Sequence, residues 1–547
     1  MSATNEKPFT NQASQASLAE HDPSAGHDDV ALAALGYKPR LRRTLGTFDS
    51  FAFAFSYFSE LANLVLVLGL GIALAGPAFI LSWPIVVFGM LLVTLCFCEM
   101  AASYPVAGSL YNWSKVLSGS KALSWMTGWT ILVAVIVSYA SLAPAFALIL
   151  PQIWHGFEIV GPSAGQYQFA ENTIILGSIV IAFSTVMNAI GARAVSIINN
   201  IGIRVEICAV VVFTIVFLIR AHHSPAIVLH TNGTGASSHL GYLGAFLAGG
   251  IATVYSLYGM DAASDMAEET KNPRKAAPRS MLYAVAGAGV VFFALGISGV
   301  MAVKDVSSPD LTAGGLGYII FSVFGQTWGR IALVVVFMAL TSCSLAVMSF
   351  AIRVTFGMAR DNHLPFAKGL SKVSARTKAP INAAVVVGIV TILILLINIR
   401  ESQIIGVLIS VSAVLVYLAY LGVVLPMLVA RVRGRWPIPG SGSSKYFGLG
   451  RWGLAVNIGA GLWLVLGIVN LAWPRQEIYN AAPPFHWYLK YGAFVFSGGV
   501  LLIGGLLYGL RLRHRTGVVA GHAPDAVDGS PTGELGLEGL PTLRPDA

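Results

Sequence analysis

The sequence predicts an all-α integral membrane fold with twelve transmembrane helices. Of its 547 residues, 56% are hydrophobic and only 11% are charged, and the mean hydropathy is +0.73. A soluble domain carries roughly 25% charged residues, and no soluble fold of this length hides so much apolar surface. The apolar residues also fall in long uninterrupted runs, each near the roughly 20 residues that a helix needs to cross a bilayer. Lysine and arginine collect in alternate connections between those runs.

Taken in order, the segments are Phe48–Ile72, Pro77–Met100, Ser124–Leu150 and Thr173–Ala189, followed by Val195–Ile219, Gly244–Ala267, Met281–Val303 and Thr327–Met358. Ile381–Ile399, Ile404–Val429, Trp452–Ala472 and Trp487–Leu510 complete the twelve. They occupy one domain, residues 37–515. Residues 1–36 and 516–547 are polar, of low complexity and expected to be disordered tails. No apolar run follows a basic start, so a cleaved leader is not expected.

With the N-terminus inside, 26 of the 34 Lys and Arg fall on the cytoplasmic side and 6 outside. Arg204 and Arg353 lie within helices. The positive-inside rule then places both termini in the cytoplasm of a multi-pass cell-membrane protein. The net charge of +9 is spent on this asymmetry, which removes the argument for a nucleic-acid partner. Trp125, Trp154, Trp328, Trp452 and Trp487 fall near the expected interfaces, as an aromatic belt requires.

Catalytic and cofactor signatures are missing. No lysine follows a glycine, so there is no GxxxxGK phosphate loop, and no HExxH zinc motif occurs. Neither an enzyme activity nor a cofactor is expected. Cys96, Cys98, Cys208 and Cys343 all sit in apolar runs and read as small buried hydrophobes. His222, His223, His230 and His239 share one loop and read as solvent-exposed side chains.

Two apolar spans are interrupted. The first carries Phe55-Ser56-Tyr57-Phe58-Ser59-Glu60-Leu61-Ala62-Asn63, and the sixth carries Tyr255-Ser256-Leu257-Tyr258-Gly259-Met260-Asp261. Both begin aromatic, Ser, any residue, aromatic, small. Corresponding interruptions in two halves of a chain point to a solute transporter built from inverted repeats. Unwound backbone cannot face lipid, so it lines a cavity, where free N–H groups suit a carboxylate and free carbonyls suit a cation. The same Ser256 and Gly259 also fit close helix packing. An ionisable group at mid-membrane is a functional candidate by default, which singles out Glu60.

Four further stretches carry a family resemblance. They are Ser103-Tyr104-Pro105-Val106-Ala107-Gly108-Ser109 through Trp113, and Met187 through Glu206 with its Asn199-Asn200 pair. The others are Asp265-Met266-Ala267-Glu268-Glu269-Thr270 through Arg279, and Arg353 through Pro365. In this order they resemble the amino acid–polyamine–organocation (APC) superfamily, best its amino acid/choline branch with the 4-aminobutyrate permeases. The resemblance spans about residues 45–515.

That resemblance implies a LeuT-type fold of five-plus-five inverted repeats with broken helices 1 and 6. It implies a small-molecule substrate, an amino acid or amine, held by Ser59, Glu60, Leu61, Ala62 and Asn63 and by Tyr255, Ser256, Leu257, Tyr258, Gly259 and Asp261. Tyr255 takes the place of an aromatic gate, and a large side chain at Gly259 is expected to fill the cavity. For ion coupling the resemblance points to Thr341 and Ser342, whose hydroxyls equally suit bonds within their own helix. It also points to Arg204, either as a fixed cation beside them or as a side chain snorkelling to the cytoplasmic interface. Arginine keeps its proton, so a coupling proton would ride on Glu60, Asp261 or Glu206. Proton-coupled uptake is the leading expectation. Sodium-coupled symport or exchange of polyamine or choline-like substrates is the alternative, and a solute-sensing receptor a more distant one. This chain has Asn63 where the branch has a glycine, and Glu60 where it has an uncharged residue.

Overall fold

The computed structural model describes residues 41, 43–236, 240–397, 404–437, 446–479 and 485–515. The two tails and His239 lie outside the described residues. Among the described residues the regular structure is helical, with one isolated bridge between Leu45 and Thr270.

The helices run α1 Thr47–Phe58, α2 Glu60–Ala75, α3 Ser82–Ser103, α4 Ser109–Ser118, α5 Lys121–Ser141 and α6 Ala143–Ile153. There follow α7 Gln168–Ile190, α8 Ala192–Ile219, α9 Tyr242–Ser256, the short α10 Ala262–Asp265, and α11 Pro273–Ala302. The last are α12 Pro309–Arg360, α13 Ile381–Ile397, α14 Ile404–Val432, α15 Gly453–Ala472 and α16 Gly492–Leu507. With α1–α2 and α5–α6 each taken as one span, ten of the described helical spans are long and apolar enough to cross a membrane. Tyr242–Ser256 and Ile381–Ile397 are apolar but shorter.

Breaks occur where the chain chemistry forces them. The first apolar span divides at Ser59, whose φ of 28° and ψ of 92° no helix tolerates. The sixth stops at Ser256, and Gly259 then turns the chain with φ 104°, a conformation favouring glycine. The eighth is longer than its apolar core suggests. It belongs to a 52-residue run bent at Gly315 and Gly325, and the expected Thr327–Met358 is its last part.

The interruptions of both helices are buried within the bundle. In the apolar centre of α1–α2, 83% of residues are buried, against 17% in the span of α16, so the breaks sit in protein and α16 faces outward. α14 packs along α5, α11 along α3, and α12 against both α2 and α8. Because lipid is as apolar as leucine, such contacts depend on close fit rather than on hydrophobic drive. Gly202 of α8 makes this visible: it presses on Ser342 of α12 with no room for a side chain.

Two sequence readings need correction. Trp125 is no interfacial tryptophan: it is fully buried, and its indole N–H donates to the His363 carbonyl at 2.9 Å. Trp154, Trp328, Trp452 and Trp487 are exposed, each over 60%. Cys208 is exposed on the outer face of α8, whereas Cys96, Cys98 and Cys343 are buried. Composition marks a run as apolar without saying which side of its helix turns outward.

Candidate functional site

Breaking a helix frees carbonyls at the end of one half and N–H groups at the start of the next. Around Ser59 these groups find side chains. The Asn63 carboxamide donates to the Phe58 carbonyl, and the Cys343 thiol lies 3.7 Å from the Tyr57 carbonyl. Asn63 therefore closes the first half-helix from within the second, a task glycine lacks the atoms to perform.

On the other side of the break stands Glu206 of α8. Its Oε1 accepts from the Ser59 hydroxyl at 2.7 Å and from the Leu61 N–H at 3.3 Å. A carboxylate at the N-terminus of α2 complements the positive pole of that half-helix. Glu60 is completely buried beside it, within electrostatic reach of Glu206. Among the described residues, neither Glu60 oxygen nor Glu206 Oε2 has a hydrogen-bond partner in another residue.

The second break is bridged by Tyr420 of α14. Its hydroxyl accepts from the Gly259 N–H at 2.8 Å and donates to Asp261 Oδ1 at 2.6 Å. Tyr255 and Tyr258 are anchored as well. The Tyr255 hydroxyl pairs with Ser141 at 2.6 Å, and that of Tyr258 lies 2.9 Å from Ser138 and 3.0 Å from Ser412. Tyr57 meets Tyr258 edge-on at 6.1 Å and joins the two breaks into one aromatic cluster. Residues 59–63 and 255–261 are all buried.

The structure thus brings most of the sequence candidates together and sets several apart. Leu61 takes part through its backbone N–H, and Ala62 and Leu257 are packed in the core without a polar role. The Ser256 hydroxyl bonds back to Ala252 within its own helix. Thr341 likewise donates to Phe337 one turn earlier at 2.8 Å. Of the two readings of Arg204, the structure favours the outward one. It is exposed on the outer face of α8, its guanidinium 5.0 Å over the Phe48 ring, and does not stand as a fixed cation at Thr341 and Ser342. Space at Gly259 also differs from expectation. The Tyr57 ring fills the position of a Cβ there, so a large residue strains the fold besides filling any cavity.

Sequence reasoning quoted Tyr57 within the first interruption without giving it a role, and passed over Tyr420, Ser138, Ser141 and Ser412. Their one signal was a hydroxyl inside an apolar helix, too common to single them out.

At the end where the basic residues gather, the four quoted stretches meet. Leu45 and Thr270 pair, with the Thr44 and Leu45 N–H groups on the Glu269 carbonyl at 3.0 and 2.9 Å. Arg353 grips the Glu269 carboxylate at 2.9 and 2.8 Å, and Arg360 grips Glu268 at 2.9 Å. Asp265 accepts from the Ser109 N–H at 2.7 Å. Asp361 receives Tyr111 at 2.8 Å and Lys115 at 2.7 Å. Buried charges paired in this way hold a geometry more than they add stability. They tie the loops and helix ends at this end to one another.

Comparison with known proteins shows the family. Residues 45–498 match the amino acid permease family. The chain is 27% identical over 491 residues to Amino-acid permease BAT1 of Arabidopsis thaliana, covering 84% of this chain and 92% of that protein. It is 28% identical over 331 residues to the Branched-chain amino acid permease BcaP of Lactococcus lactis, covering 58% and 68%. To the Methylthioribose transporter of Bacillus subtilis it is 26% identical over 381 residues, covering 66% and 76%. Two interrupted helices facing each other inside an apolar bundle, and a family match across most of the chain, lead to one conclusion: this multi-pass membrane protein belongs to the amino acid permease family of the APC superfamily, whose members are transporters rather than enzymes.

Proposed function

We propose that the protein is a proton-coupled secondary transporter of amino acids or related amines in the cell membrane. In this reading it has twelve spans in a LeuT-type five-plus-five arrangement, with both termini cytoplasmic. The ten long spans and the two shorter apolar helices supply the count, and the 26-to-6 division of Lys and Arg supplies the orientation. The substrate lies between the breaks at Ser59–Asn63 and Tyr255–Asp261. Relatives named as amino acid permeases support the substrate class.

One observation carries the coupling. Glu60 and Glu206 are buried side by side at the first break, and among the described residues three of their four oxygens have no partner in another residue. Two negative charges in so little water are costly, so the pair takes up a cation, either a proton or the ammonium of the substrate. Alternating access then follows from whether that cation is present. Opening the basic end requires the Glu268, Glu269 and Asp361 contacts to part.

The test is uptake into liposomes under an imposed pH gradient, with and without sodium. Proton-driven uptake that persists without sodium, and is lost in Glu206→Ala, supports the reading. Uptake that needs sodium and ignores the pH gradient refutes it.

A further inference from the structure

A cavity of about 500 Å³ opens at the basic end, well away from the two breaks. Five cations, Arg43, Arg193, Lys271, Arg376 and Lys378, and a single carboxylate, Glu269, are among its lining residues. That carboxylate is already taken by Arg353. Among the described residues no carboxylate pairs with Arg193, Lys271, Arg376 or Lys378. Asp49 attracts Arg193, but its oxygens are engaged by Ser196, Asn200 and the Gly46 N–H.

The backbone adds to the field. The 28-residue α8 begins at this wall, and its N-cap, Gly191, has no side chain to cap the first N–H groups. A long helix places roughly half a positive charge at its start. Gly191, with φ 129°, brings the turn before α8 against the Thr377 carbonyl, so the α8 start and the loop holding Arg376 and Lys378 form one wall. Arg43 and Lys271 face them from the paired segments beside Leu45 and Thr270. Like charges gathered around a concavity repel one another and are stabilised together by a single multivalent anion.

We infer that this cavity binds a phosphate-bearing anion, supplied either by a free phosphate compound or by the headgroup of an acidic lipid. Guanidinium groups match phosphate oxygens in pairs, and the lysines add point charges. An anion held between the Leu45–Thr270 segments and the α8 wall ties together two parts that must separate if this end opens. Binding itself is independent of what the breaks carry.

The experiment measures thermal unfolding of the full-length protein in detergent at constant ionic strength. One arm replaces chloride with inorganic phosphate. The other adds dioctanoyl phosphatidylglycerol, with dioctanoyl phosphatidylcholine as the control. A saturable rise in midpoint is expected with at least one anionic probe and not with phosphatidylcholine. In Arg193→Gln/Arg376→Gln/Lys378→Gln the half-saturating concentration should rise by about tenfold or more. All three side chains are exposed, so the midpoint in chloride should stay near that of the wild type. Should the triple variant not purify in monodisperse form, Lys378→Glu alone carries the same direction of change. A response to phosphate assigns a free compound, and a response to phosphatidylglycerol alone assigns a lipid. No shift with either probe, or an equal shift in the variants, overturns the site.

Discussion

The hydroxyl of Tyr420 stands between the Gly259 N–H and the Asp261 carboxylate, 2.8 Å from one and 2.6 Å from the other. A single side chain of α14 thereby fixes both ends of the turn that interrupts the sixth span. It does for the second break what Glu206 does for the first, where Ser59 and Leu61 converge on one carboxylate oxygen.

Tyr420→Phe removes that bridge without changing the volume. It leaves a buried N–H and a buried carboxylate oxygen unsatisfied, a loss of about 1–3 kcal/mol. Thermal unfolding should fall accordingly, and uptake should drop by about tenfold or more as the turn loosens. Full uptake with an unchanged midpoint would remove Tyr420 from the site.

Glu60→Gln keeps the shape and deletes the charge. Substrates bearing a free ammonium should lose about tenfold or more in kcat/KM, and uncharged ones much less. Equal losses across the two classes would mean that Glu60 only packs against its neighbours.

Arg353→Gln strands the Glu269 carboxylate in a buried site. Breaking one partner of such a pair costs roughly 3–5 kcal/mol. Adding Glu269→Gln should recover part of the lost stability, since the second charge then goes too. Additive losses in the double-mutant cycle, read by thermal melts, would show that the two do not depend on each other.

His363 gives a pH dependence. Burial pushes its imidazole down to about 4 against the pull of Asp361, and Lys115, Lys121 and Arg515 push the same way as burial. Its Nδ1 lies 2.6 Å from the Tyr111 hydroxyl. In the unfolded chain the group titrates near 6.5. Between those values the unfolded state binds a proton that the folded state refuses. The stability tied to neutral His363 is therefore whole above pH 6.5 and falls as pH drops, by about 3 kcal/mol at pH 4. His363→Gln should flatten the melting midpoint against pH across that window. An unchanged slope would place the acid sensitivity elsewhere.

The sequence by itself determined the apolar spans, both interruptions and the end at which the cations gather. Each is a local signal: a run of about 20 residues, a Ser or Gly within it, a basic loop after it. Glu60 and Asp261 were legible for the same reason, since a carboxylate inside an apolar run is conspicuous alone. Partners were not. Ser59 and Glu206 are 147 positions apart, and Gly259 and Tyr420 are 161 apart. Only the packing of α8 and α14 brings them together. Rotation about the helix axis was equally out of reach. Arg204 and Glu206 are two residues apart on α8, turned from each other by roughly 200° at 3.6 residues per turn. The tertiary contacts sent the glutamate inward to the break and the arginine outward over Phe48. Composition fixes what a helix contains, and only its neighbours decide which face turns toward the centre.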